Sequence, residues 1–173
     1  MNIERDSTCK SNVVAEYSAT LFLIIACIAT TFSLYLVWLL QWQGPFRDLW
    51  EFIPELEQQL RGHWSLAFLI DAYGGAHRIL FPKLVFFADW RWFGGENKLT
   101  VFISLACQII YLKLISQTLL QESPLSKSGK KAIFAAFLLA LFSTTQVNNF
   151  LYAMDVQWFM SNLLGLLAFT MLI

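Results

Sequence analysis

Residues 99–131, LTVFISLACQIIYLKLISQTLLQESPLSKSGKK, decide how the chain is organised. The first part, 99–120, carries a single charge, Lys113. As a helix it would run about 33 Å, enough to cross the hydrocarbon of a bilayer. Lys113 lies near the far end of this run, where its ammonium can snorkel to the interface. The following loop, 121–131, holds Lys127, Lys130 and Lys131 against Glu122 alone. By the positive-inside rule this loop is cytoplasmic. The span therefore enters from outside at residue 99, and everything between it and the preceding span, 41–98, forms one extracytoplasmic loop.

Composition supports a membrane reading for the whole chain. Of 173 residues, 57% are hydrophobic, 16% aromatic and only 14% charged, with a mean hydropathy of +0.55. Soluble domains carry about 25% charged residues. The net charge of +0 provides no basic footprint for nucleic acid. Cys9 and the apolar-run residues Cys27 and Cys107 form no C-x-x-C pair, so neither a disulfide framework nor a zinc site is indicated.

Upstream of the loop, residues 17–46 contain no Asp, Glu, Lys or Arg. The core of this run, 19–40, spans the bilayer as a signal anchor, with Trp38 and Trp42 at its interfacial end. It is longer than the roughly 7–15 apolar residues of a cleavable signal peptide, and no small-residue cleavage site follows. The topology set by the lysine loop puts the N-terminus in the cytoplasm.

The outer loop divides at its glycines and prolines. Gly44-Pro45 ends the first helix. Leu49, Phe52, Ile53, Leu56 and Leu60 then follow helical spacing, with Pro54 fitting the first helical position and Gly62 the stop. This predicts a short amphipathic helix lying on the membrane or on a neighbouring helix. A second short apolar piece, 64–73, is interrupted by Asp71 and closed by Gly74-Gly75. A further helix is expected over 82–93, closed by Gly94-Gly95. Were 77–93 a span, Lys83 would fall near its middle and Asp89 and Arg91 deep in its other half. Each would cost about 2.5–3.5 kcal/mol at the centre, so this helix is expected to lie along the surface.

Downstream, 132–150 reads as a third span and 161–173 opens a fourth, separated by a short outer loop with Asp155, Gln157 and Trp158. The last run reaches no flanking loop, charge or anchor, so the chain is expected to be the front of a longer polytopic protein. The predicted fold is a single all-α membrane domain. It has about four transmembrane helices and a large extracytoplasmic loop of short juxtamembrane helices after the first.

Two sets of residues carry a resemblance. His77-Arg78-Ile79-x-x-Pro82-Lys83-Leu84, followed by Asp89 and Phe93-Gly94-Gly95-x-Asn97, resembles the first outer loop of a group of uncharacterised bacterial inner-membrane proteins of GT-C glycosyltransferase type. Gln146, Asn148 and Asp155-Val156-Gln157-Trp158 resemble that group's second outer loop. The likeness covers residues 17–164 and implies transfer of a sugar from a polyprenyl-phosphate donor. Two departures accompany it: Ala76 stands where the group often has Glu, and no Asp-Asp or Asp-x-Asp follows the first span.

Sugar transfer needs a carboxylate to take the acceptor's proton or to hold a divalent metal. Asp48 and Glu51 are the nearest candidates. The departing phosphate needs positive charge, for which His77, Arg78 and Lys83 are placed, and Asp89 completes the substrate-binding set.

Each of these residues has a plainer reading. Asp48 and Glu51 also suit the solvated start of a surface helix. His77 and Arg78 suit a headgroup anchor, and Asp89 an ion pair with Arg91 or Arg78. The aromatic residues between Phe86 and Phe93 suit interfacial packing. The alternative function is a non-catalytic membrane protein, truncated or acting as a scaffold, that binds a partner through its outer loop. Membrane lipid is a contact on either reading.

Overall fold

The computed structural model describes residues 3–41, 50, 52–63, 67, 70, 80–120, 123–152 and 155–172. Helices dominate this part of the chain, and no strand occurs among the described residues. Three stretches, Asn12–Leu40, Lys98–Thr118 and Lys127–Leu151, are long and apolar enough to cross a membrane, and the apolar Val156–Leu172 is shorter. The protein is therefore an all-α, multi-pass membrane protein.

Helix α1, Ile3–Leu40, is continuous and begins well before the expected apolar core. No glycine or proline interrupts this stretch, so the polar N-terminal part extends the same hydrogen-bond ladder. Ala19, Ala26 and Ser33, at seven-residue spacing, are buried along α1, followed by Val37. The helix packs lengthwise on α5, Lys127–Phe142, which buries Ala135. Small side chains at such a seam let two backbones approach closely where no water-driven force assists. At the lysine-bearing end, Lys131 bonds the Glu16 carboxylate and lies 3.3 Å from the Thr20 hydroxyl. Ser126 caps α5 by accepting from the Gly129 N–H at 3.2 Å.

The juxtamembrane helices form close to where the sequence places them. Helix α2, Ile53–Leu60, has Pro54 in its first turn, and Gly62 beyond its end sits at φ 92°. Helix α3, Leu80–Phe93, starts two residues earlier than expected, since Pro82 is tolerated in a first turn. Helix α4, Lys98–Ile115, continues as a π-helical turn over Ser116–Leu120, so the second span has the expected extent with a changed register at its end.

The third span is not one helix. After α5 the chain turns extended at Ser143 (ψ 162°), makes a 3-10 turn over Thr144–Gln146 and resumes as α6, Val147–Leu151. The Ser143 and Thr145 hydroxyls bond each other at 2.6 Å, a side-chain alternative that competes with a continuous helix. Helix α7, Val156–Leu172, begins earlier than expected. Gln157 and Trp158, read as loop, lie in its first turn, directly after Asp155, a residue type favoured before a helix start.

Two apolar clusters join these parts. Phe142, Phe150 and Phe159 stack in series, with centroids 6.0 and 4.9 Å apart and ring planes 18° and 6° from parallel, tying α5, α6 and α7 together. Phe52, Leu56, Phe86 and Val156 tie α2 and α3 to the start of α7. The short helices therefore sit at the end of the bundle where α4 and α7 begin, opposite the lysine end.

The turn between α3 and α4 uses three left-handed residues, Gly94 (φ 71°), Gly95 (φ 73°) and Asn97 (φ 60°). A Cβ on Gly95 would lie 2.6 Å from Cε3 of Trp90, whereas one on Gly94 would meet open space. Gly94→Ala should therefore cost only the left-handed strain, about 1–2 kcal/mol. Gly95→Ala adds an overpacking cost of about 1–3 kcal/mol. Thermal unfolding of the two variants in detergent should show the larger loss for Gly95→Ala, and equal losses would contradict this packing.

Candidate functional site

Asp89 organises the α3–α4 corner. Its side chain is 4% exposed. Its backbone carbonyl accepts from the Gly95 N–H at 3.2 Å, closing the end of α3. Its carboxylate accepts from the N–H groups of Asn97 at 2.8 Å and Leu99 at 2.7 Å. These amides belong to the start of α4, where the first N–H groups have no partner inside the helix. Asn97, the residue at the capping position, does not cap its own helix. Its Nδ2 instead donates to the Leu151 carbonyl at 2.9 Å, satisfying a C-terminal carbonyl of α6. One carboxylate thus holds two helices, and its neighbour ties them to a third.

Of the two ion-pair partners expected for Asp89, Arg91 is exposed and is not used among the described residues, and Arg78 lies outside them. Burial raises the Asp89 pKa above the ordinary 3.8, outweighing the N–H bonds from Leu99 and Asn97, which lower it. Lys83, read as a phosphate contact, is 2% exposed, with its ammonium 5.7 Å from the centroid of the Phe52 ring. Lys83 and Asp89 both lie on α3 and both point inward. Asp48, Glu51, His77 and Arg78 lie outside the described residues. Among the described residues, no group of three or more His, Cys, Asp or Glu is placed to hold a metal ion.

A feature missed in the sequence runs down α4. Asn97, Thr100, Ser104 and Gln108 are all buried, and Tyr111 continues the same face at the next turn. The steps of three and four residues put them on one side of the helix. Among the described residues, Asn97 Oδ1 and the hydroxyl oxygens of Thr100 and Ser104 have no protein partner. The upper members, Asn97 and Thr100, line a cavity of about 20 Å³ beside Asp89 and Trp90. Polar residues inside a span are costly and mark function or helix contacts. The periodicity of Thr100, Ser104 and Gln108 in a run with one charge was the available signal.

The lower members lead to a larger cleft of about 220 Å³ between α4, α5, α6 and α7. Gln108 and Tyr111 face it from α4, Gln146 and Asn149 from the broken third span, and Asp155, Trp158 and Asn162 from the start of α7. Gln108, 4% exposed, is held by a 3.3 Å bond from Nε2 to the Leu141 carbonyl. Asn149 Nδ2 donates to Gln146 Oε1 at 2.7 Å, which orients both amides. Phe159 forms part of the wall, so the stacked phenylalanines behind it fix the position of α7. The break at Ser143 has a role here: it turns Gln146 and Asn149 toward the space beside α7. The polar wall suits hydrogen-bonded recognition of a small ligand, and the exposed Trp158 indole supplies an apolar face.

No protein-family model, curated protein or solved structure matches this chain.

The corner makes a pH-dependent prediction. Because the fold holds the Asp89 proton more tightly than the unfolded chain does, this group's contribution to stability is greatest below 3.8 and is lost as pH rises through its folded pKa. Asp89→Asn keeps the shape but sets an NH2 against one backbone N–H, at a cost of about 1–2 kcal/mol. Unfolding midpoints measured between about pH 3 and 7 should show the gap between wild type and variant narrowing as pH rises. A widening gap would mean that the N–H bonds, not burial, dominate this carboxylate.

Proposed function

We propose that the chain is the front part of a GT-C-like glycosyltransferase of the bacterial inner membrane, using a polyprenyl-phosphate-linked sugar, with its N-terminus cytoplasmic and the α3 end of the bundle outside. The observation that carries this reading is the cleft between α4 and α7, where amides, a phenol, an indole and one carboxylate converge at the end of the spans that carries the juxtamembrane helices. Two of its members, Gln146 and the Asp155–Trp158 segment, also carry the sequence resemblance. In the transfer, the acceptor hydroxyl oxygen bonds the anomeric carbon and the bond from that carbon to the phosphate oxygen breaks. The phosphate leaves with the electron pair, and the hydroxyl proton passes to a carboxylate. Asp155 joins Asp48 and Glu51 as a candidate for that carboxylate, since among the described residues it is the acid that lines the cleft.

A non-catalytic role has one observation in its favour. Asn162 and Trp158 stand on an exposed part of α7, and an in-span amide can serve as a hydrogen bond to another helix. Transfer assays separate the two readings. Membranes containing the full polypeptide and a polyprenyl-phosphate sugar should show turnover, and the true base should be revealed by a loss of about 10²-fold or more among Asp48→Asn, Glu51→Gln and Asp155→Asn. Full activity in all three would remove these carboxylates from the chemistry, and absence of turnover would favour the partner-binding role. Orientation is checked separately by single cysteines at Ser128 and Gln58 in a background lacking the native cysteines. The two should label from opposite sides of the membrane.

A further inference from the structure

We infer that the cavity at the α3–α4 corner binds one ordered water molecule, which donates to Asn97 Oδ1 and to the Asp89 carboxylate and accepts from the Thr100 hydroxyl. This site belongs to the fold, and it stands apart from the transferase reading and from the larger cleft.

Unmet hydrogen bonds on the wall locate the site. Thr100 and Asn97 are 1% and 3% exposed, and both line the cavity beside Asp89. Among the described residues, the Thr100 hydroxyl and Asn97 Oδ1 have no protein partner. Native interiors pair nearly all such groups, with protein or with ordered water, because leaving one unmet is costly. Other helical hydroxyls, those of Thr20, Thr31, Ser33, Ser116 and Thr118, donate to the carbonyl four residues back. For Thr100 that carbonyl belongs to Glu96, which lies in the turn ahead of α4 and not on its ladder. The hydroxyl is left to the cavity.

The inventory of donors and acceptors selects the ligand. Asn97 Oδ1 is an acceptor, and the NH2 group of the same amide is engaged with Leu151. Each Asp89 oxygen takes one backbone N–H, which leaves a further lone pair on each. Thr100 has a hydrogen to give. A guest that donates twice and accepts once meets all three, and water does so. A cation would coordinate the oxygens but leave the Thr100 O–H without an acceptor. It would also sit at the end of α4 where the helix dipole is positive. Size agrees with this choice. The cavity of about 20 Å³ exceeds the roughly 10–15 Å³ that one water requires and is too small for an organic ligand. Leu56, Phe86 and Trp90 supply its apolar side.

The test uses the chain in phosphatidylcholine nanodiscs. NMR magnetisation transfer from water should reach the Leu56 methyl protons, which do not exchange, with the sign of a water that tumbles with the protein. Thr100→Val keeps the shape of the side chain and removes the hydroxyl. With water bound, this variant loses a hydrogen bond. Its thermal midpoint should then fall by about 2–4 °C, and transfer to Leu56 should drop severalfold. In a dry site the same change would delete an unmet polar group, and the midpoint would rise. Thr31→Val, at a hydroxyl already bonded within its own helix, should leave the transfer unaltered. Unfolding in equal concentrations of sodium, potassium and choline chloride should give one midpoint. Absence of transfer to Leu56 in the unaltered chain, or a higher midpoint for Thr100→Val, would overturn the proposal. A midpoint raised by sodium or potassium alone would overturn it in favour of a bound cation.

Discussion

The carboxylate of Asp89 is the constraint on which the α3 end of the molecule depends. A helix that stops and another that starts after four intervening residues leave carbonyls on one side and N–H groups on the other, all needing partners. Asp89 supplies an acceptor to each side of the corner, through its main chain to Gly95 and through its side chain to Asn97 and Leu99. The left-handed residues Gly94, Gly95 and Asn97 are what allow the chain to turn tightly enough for one residue to reach both helices. With the start of α4 capped from outside, Asn97 is released to bond Leu151. Placement of α3, α4 and α6 thus depends on a single buried acid, whose negative charge also suits the N-terminal end of α4.

That arrangement divides the polar groups of the bundle into two kinds. At the corner, the Asp89 carboxylate and the Asn97 NH2 group are spent on holding backbone. Those further along α4, Gln108 and Tyr111, face space that neighbouring helices leave open. The opening exists because the third span is broken at Ser143 and because the stacked rings of Phe142, Phe150 and Phe159 hold α7 against the far side. Rigid aromatic packing beneath, with polar side chains oriented above it, is the combination a selective site requires.

The spans were legible because long uncharged runs and charged loops are direct consequences of the solvent they meet. The corner turn was legible from Gly94-Gly95, since few other residues tolerate positive φ. The use made of Asp89 was not, because a carboxylate bonding N–H groups eight and ten residues on depends on the turn between them, and sequence alone offered only oppositely charged side chains as partners. Lys83 illustrates the same point. Its spacing on α3 did not reveal that its stem and ammonium would be enclosed beside Phe52. The cleft was half visible: Gln146 and the Asp155–Trp158 segment stood out, but Gln108 did not, hidden in a run that composition reads as uniformly apolar. Gathering side chains from four helices into one wall is decided by packing, which no local pattern encodes.

The bond from Asn97 to Leu151 has a consequence for assembly. The contacts of Asp89 join residues six to ten apart, so the corner can close as soon as it leaves the ribosome. The amide of Asn97 is matched to a carbonyl 54 residues further on, and that partner does not exist until the third span has been made. The order of synthesis therefore makes the residues of the local joint available before those of the long-range bond that ties it to the third span.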